Sequence, residues 1–305
     1  MTYYLLSLII FSLGLSSCAE TEVRRTAGSE QALEKENARQ SEKLPEPRYQ
    51  LIGLLRGPSE YDSTTSFEII SLKEGNKIID SEPRQYDSSY VFSFLNQHIV
   101  GRKLYLTQNG HEAGAVSYRD PGRYYPNEIS DAMVSVDVDV KHTAARDSGI
   151  SQLITTWKPK PQYDLPRKST KAEEAIALSK ARSLLAKHKD LNHLIPGLTF
   201  DACQTICDGE LIAASVKSVD TIRYDVLSIF LLLDSKTGEV RFARDCSGNE
   251  VEHYYTQYIG QLDLDEDGED EIILFSQYYE WSDYTFLKRS GKTWKEIFRG
   301  GGSGV

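Results

Sequence analysis

The sequence predicts a mainly β chain with one long helix, an α+β organisation. An amino-terminal antiparallel β domain, a connecting helix and a carboxy-terminal β domain of two sheet units follow one another. Three observations predict it. From Tyr49 onward, short apolar runs alternate with turn residues, as strands require. One long stretch, from Lys171 to about His188, carries apolar residues at helical spacing. Beyond it, two segments about 55 to 60 residues apart repeat one order of acidic or glycine turn, two strands, glycine turn and strand.

The 305 residues open on a stretch without charge, 2–17, whose apolar core from Tyr3 to Leu15 is broken only by Ser7, Ser12 and Gly14. It falls short of the roughly 20 residues that span a bilayer and fits the apolar region of a signal peptide. It closes on Leu15-Ser16-Ser17-Cys18, an aliphatic residue, two small ones and a cysteine. This resembles the lipobox of bacterial lipoproteins. The resemblance implies that 1–17 is a signal peptide, that Cys18 becomes an acylated, palmitate-bearing amino terminus, and that the protein is anchored in the cell envelope. Ala19, rather than Asp, follows the cysteine and points to the outer membrane. Residues 18–47 alternate Glu, Lys, Arg, Gln and Ser with few large apolar side chains, so they bury no face and read as a polar tether.

A β-rich domain is expected over 48–165, with apolar runs at 50–55, 66–72, 90–95, 103–107 and 134–140. Asn109-Gly110 between two runs marks a hairpin, because both residues tolerate positive φ. In the last run Val134, Val136, Val138 and Val140 alternate with Ser135, Asp137 and Asp139, which places the carboxylates on a solvent face. The connecting helix occupies 166–196. Thr170-Lys171-Ala172-Glu173 has capping-box form, and Ala177, Leu178, Ala181, Leu184, Leu185 and His188 line one stripe. No second His, Cys or carboxylate stands one turn from His188, so it reads as a packed or edge histidine.

The domain over 197–305 is acidic. From Leu191 to Val305 twenty Asp and Glu face ten Lys and Arg, which accounts for the whole net charge of −10. Such a body lacks the cationic footprint that nucleic acid needs, and a cation is its natural partner. The most specific feature is Asp263-Leu264-Asp265-Glu266-Asp267-Gly268-Glu269-Asp270-Glu271. Acids at positions 1, 3, 5 and 9, glycine at 6 and an inward carbonyl at 7 are the oxygen supply of a calcium loop. The expected ligands are Asp263, Asp265, Asp267, the Glu269 carbonyl and Glu271, around one structural ion. Leu274 stands at position 12, where an EF-hand needs its bidentate Glu, and no helix pattern precedes Asp263, so the loop does not read as an EF-hand. Carboxylates about 4 Å apart repel by roughly 4 kcal/mol at an effective dielectric near 20, so such a turn calls for a cation.

These nine residues, leading into Ile272-Ile273-Leu274-Phe275, resemble the FG-GAP calcium loop of integrin-like β-propeller blades and related bacterial repeats. The resemblance implies two propeller-blade-like repeats, the earlier of which, at Cys207-Asp208-Gly209-Glu210, has lost most of its acids. It departs at Glu266, where that family often has glycine.

Other signals fail. Gly291-Lys292-Thr293 lacks the upstream glycine of a P-loop and reads as a hairpin turn; no His-Glu-x-x-His or Gly-x-Ser-x-Gly occurs. Tyr254, Tyr255, Tyr258, Tyr278, Tyr279, Trp281 and Tyr284 suit sugar or protein recognition, and suit sheet packing better. Export favours a disulfide between two of Cys203, Cys207 and Cys246, with the pairing open. No catalytic residue is assigned. The expected function is a lipid-anchored cell-envelope protein acting as a binding or structural module, with a protein or glycan as its partner. The alternative is a lipid-anchored hydrolase acting on an envelope polymer.

Overall fold

The computed structural model describes residues 48–57, 65–80, 88–120, 133–140, 152–223, 225–249, 255–278 and 281–302. The signal peptide expected over 1–17, the whole tether expected over 18–47 with Cys18, and Tyr254 and Tyr279 lie outside the described residues. The segments 48–165, 166–196 and 197–305 are drawn together in one compact unit, Pro47–Val305, built mainly from antiparallel strands.

The first sheet contains β1 (Gln50–Arg56), β2 (Ser66–Glu74), β3 (Lys77–Ile79), β4 (Leu104–Gln108), β5 (His111–Asp120), β6 (Met133–Val140) and β7 (Leu153–Thr155). Its order is β1-β7-β4-β5-β6-β2-β3, and it curls so that β1 also pairs with β2. Asn109 and Gly110 take φ of 50° and 75° in the two-residue turn joining β4 to β5, as their identity foretells. Asp137 is exposed, on the solvent side of β6.

The run 90–95 is not a strand. It lies in a helix, α1 (Ser88–His98), and the expected single helix becomes two. Val91, Phe94, Leu95 and His98 fall at spacings of three and four, and all are buried. That is the stripe of a helix packed on a sheet, which a six-residue window does not separate from a strand. The second helix, α2 (Lys171–Leu185), starts on the expected capping box, with Thr170 and Glu173 bonded to each other's backbone N–H. Hydrogen bonds from Arg167 hold the Glu173 carboxyl down to about 2. α2 stops at Leu185, and a 3₁₀ stretch follows over Lys189–Gly197.

The second sheet contains β8 (Arg167–Lys168), β9 (Thr199–Ile206), β10 (Leu211–Asp220), β11 (Asp225–Asp234) and β12 (Val240–Asn249), in the order β12-β11-β10-β9-β8. The third contains β13 (Tyr255–Leu262), β14 (Glu271–Gln277), β15 (Ser282–Ser290) and β16 (Thr293–Gly300), in sequence order. The two segments that look like copies are thus successive four-strand meanders, β9–β12 and β13–β16.

Alternation along each strand explains how the sheets stack. On β14, Ile272 and Leu274 pack with Phe230 and Leu232 of β11, while Ile273 packs with Ile52, Leu54 and Ile70 of the first sheet. The third sheet is therefore covered on both faces, which is why its central strand reads as an unbroken apolar run. Leu231 and Leu233 of β11 turn the other way, toward Ala177, Ala181 and Leu185 of α2. α2 covers the outer face of the second sheet, and α1 covers one face of the first. The layer order is α1, first sheet, third sheet, second sheet, α2. Arg56, held by Glu68 of its own sheet (2.9 Å), ties the first sheet to the third by donating to the Tyr284 hydroxyl (3.0 Å). Gly301, at φ 65°, lies so close to the Ile70 carbonyl that no Cβ fits there.

The expected disulfide is not formed: Cys203 and Cys207 are both free thiols, and any pairing among the three cysteines needs one of them. Cys203 and Cys207 are four residues apart along β9 and its turn, about 13 Å in extended chain, whereas a disulfide wants Cα atoms about 6 Å apart. Cys246 lies on β12, three strand positions from β9 in the sheet order, or about 14 Å.

Candidate metal centre

The acidic loop joins β13 to β14. Leu264 is fully buried and pins the loop to the core shared with the first sheet, leaving the acids on either side to fold around it. Gly268 at φ 90° and Glu266 at φ 61° supply the left-handed turns that wrap the chain. Asp263 accepts from the backbone N–H of Asp267 and of Gly268, each at 3.1 Å, and Asp267 accepts from the Glu269 N–H at 2.9 Å. The Glu271 carboxylate, 1% exposed, accepts from the Leu264 N–H at 2.8 Å.

Asp263, Asp265 and Asp267 each offer a carboxylate oxygen within 4.8 Å of the others, a cluster able to hold a metal ion. Of the other two expected ligands, Glu271 stands outside that trio but shares Lys288 with it, and Glu269 is exposed and also outside the trio. A buried Asp265 oxygen, Oδ1, has no hydrogen-bond partner. An orphaned carboxylate oxygen among three convergent acids fits a hard cation that prefers oxygen ligands.

The sequence reading missed two lysines. Lys288 on β15 reaches into the cluster and donates to Asp265 (2.5 Å), Asp267 (2.6 Å) and Glu271 (3.1 Å). Lys73 on β2, itself 2% exposed, donates to Glu266 at 2.7 Å. The repulsion that the sequence assigns to an ion is thus met in part by two ammonium groups from other strands. Nothing near the loop in sequence announces them, since Lys288 belongs to the next strand and Lys73 to another sheet.

Charge states follow from burial and contacts. Burial pushes the Glu271 carboxyl up to about 7, against the Leu264 N–H and Lys288. Asp270 rises to about 7 as well, through burial first and the Asp263 charge second. Three carboxylate bonds hold Lys288 well above the usual ammonium range although burial opposes them. Hydrogen bonding to Lys288 lowers Asp267, and to Lys73 lowers Glu266. Behind the loop runs a buried polar chain that joins the sheets: Gln261 donates to Asp270 at 3.2 Å, and the Tyr258 hydroxyl donates to Asn109 at 2.5 Å with the Gln261 Oε1 3.3 Å away.

A cleft of about 460 Å³ opens beside the loop, with Asp263, Asp267 and Gly268 on one wall and Trp157, Lys160 and Gln162 among the facing residues. The Gln162 amide lies 3.5 Å from Asp263. The aromatic cluster of the carboxy-terminal half serves packing for the most part: Tyr258 and Tyr284 are buried, and Tyr278 stacks on Trp281 at 3.9 Å. Trp281 keeps 46% of its surface exposed. No helix among the described residues is long and apolar enough to cross a membrane. Comparison with protein-family models, with curated proteins and with solved structures yields no match.

Proposed function

We propose that this chain is a lipid-anchored binding module of the cell envelope in which one calcium ion fixes the loop that forms a wall of its ligand cleft. The observation that carries this reading is the convergence of Asp263, Asp265 and Asp267 on a loop that lines the cleft. In this reading these three carboxylates hold the ion, with the Glu269 carbonyl and Glu271 completing the shell once Lys288 moves aside. The bound ion supplies charge neutralisation and a fixed loop. The residues across the cleft, an indole, an amide and an ammonium, suit a protein or glycan partner. The loop resembles those of FG-GAP blades, and the two stacked four-strand meanders support a blade-like reading of the repeats. Cys18 supplies the anchor, with the outer membrane as the proposed location.

The test is thermal unfolding with calcium and with chelator. Calcium at a hundred times its dissociation constant adds about 2.7 kcal/mol by mass action. Magnesium, which demands a tighter octahedron, is expected to do less. Asp265→Ala is expected to remove most of the calcium effect and Asp137→Ala none of it. Wild-type curves that overlay in calcium and chelator refute the ion site.

A further inference from the structure

A second constellation lies where α2 ends and shares no residue with the acidic loop. The two-residue period of β12 puts Asp245 and Ser247 on one face, opposite Ile229 and Leu227 of β11. That is the face α2 covers, since both of those residues pack with it. His188 stands three residues beyond the end of α2 and meets this strand. Its Nε2 lies 2.7 Å from Asp245 Oδ2, and its Nδ1 lies 2.9 Å from Ser247 Oγ.

The direction of these bonds follows from the groups themselves. An ionised carboxylate only accepts, so the ring hydrogen belongs on Nε2. In the neutral imidazole Nδ1 then keeps its lone pair, and the Ser247 hydroxyl donates to it. Lys187, with its Nζ 2.8 Å from the same Asp245 oxygen, favours the ionised carboxylate. The result is a base bonded to an alcohol, with its tautomer fixed by an acid, which is the logic of an activated serine. The two ring nitrogens have exchanged places relative to the usual triad. The relay tolerates this, because it needs only one protonated nitrogen on the acid and one free nitrogen on the alcohol. The His188 and Asp245 side chains are 23% and 26% exposed, so the relay is open to solvent.

We infer that Ser247 is a nucleophile activated by His188, with Asp245 as its positioning residue, and that its substrate is an ester carried on a larger molecule. β12 is the outer strand of its sheet, so the serine is presented at an edge, where a bulky substrate can lie alongside. An ester suits it better than an amide, since an alkoxide leaves with less assistance than an amine. In the first step Ser247 Oγ bonds to the carbonyl carbon as its proton passes to His188 Nδ1. Collapse of the tetrahedral intermediate breaks the bond to the alcohol oxygen, which leaves with that proton. Water then attacks the acyl-serine while giving a proton to Nδ1. Release of the carboxylic acid returns that proton to Ser247.

The inference goes beyond the binding reading and does not depend on the ion. Its test is reaction of the full chain with a fluorescent fluorophosphonate, with the modified peptide located by mass spectrometry, and turnover of p-nitrophenyl acetate. Labelling at Ser247 is expected, lost in Ser247→Ala. His188→Ala is expected to slow it by about a hundredfold, the scale of a general base, with added imidazole restoring part of the rate. Asp245→Asn slows it, and Asp245→Glu recovers more of the rate than Asn retains, at matched melting temperatures. Absence of label on Ser247 in folded wild-type protein, or a labelling rate unchanged in His188→Ala, overturns the inference.

Discussion

Replacing Lys288 by Met takes the ammonium out of the acidic cluster and keeps most of the apolar stem. The three Asp oxygens lie within 4.8 Å of one another, and unit charges at that spacing repel by roughly 3.5 kcal/mol at an effective dielectric near 20 and by about 0.9 in water. Asp265 is 25% exposed and Asp267 44%, so solvent absorbs much of the difference. Breaking a fully buried pair costs about 3 to 5 kcal/mol. For this half-open cluster the expected loss in chelator is therefore about 2 kcal/mol. At about 2 to 4 °C per kcal/mol for a unit of this size, melting falls by about 4 to 8 °C. In calcium most of that loss is recovered, because Met offers no charge to compete with the ion, and affinity is expected to tighten about tenfold, or 1.4 kcal/mol. Calorimetric melting in chelator and calcium titration of both proteins measure the two arms. A variant that melts with the wild type in chelator and binds calcium with the same affinity refutes the reasoning.

Further outcomes are expected. Gly301→Ala combines a positive φ with a Cβ driven into the Ile70 carbonyl and is expected to destabilise by about 3 kcal/mol, read from the denaturant midpoint. Asp270 titrates near 7 when folded and in the ordinary carboxylate range when unfolded, so the folded state binds extra protons between about pH 4 and 7. Stability in chelator therefore falls as pH rises through that window, by up to about 1.4 kcal/mol per pH unit for each such group. Glu271 carries the same sign, and Asp270→Asn is expected to remove about half of the slope in unfolding measured from pH 4 to 7.5. Cys18→Ser is expected to release the protein from membranes, and a wild-type chain that takes up no radioactive fatty acid refutes the anchor.

Local chemistry made much of this protein legible. The Asn109-Gly110 turn, the Thr170–Glu173 cap, the glycine at 268 and the alternating valines of β6 each depend on a few adjacent residues, and their backbone preferences act at that range. The acids of the loop were legible for the same reason, since one short segment supplies all of them. What the tertiary structure decided is what strands from different parts of the chain bring together. The helix at 88–98 was hidden because a short apolar run has no period long enough to tell a helix from a strand. The cysteine pairing was undecidable until the strand order separated β9 from β12. Lys288 and Lys73 meet the acidic loop only because the third sheet stacks against the first and β15 lies beside β14. His188 looked like an edge histidine along its helix, where no partner stands one turn away. Its partners come from β12, 57 and 59 residues later, and only the packing of α2 on the second sheet sets an imidazole between a carboxylate and a hydroxyl.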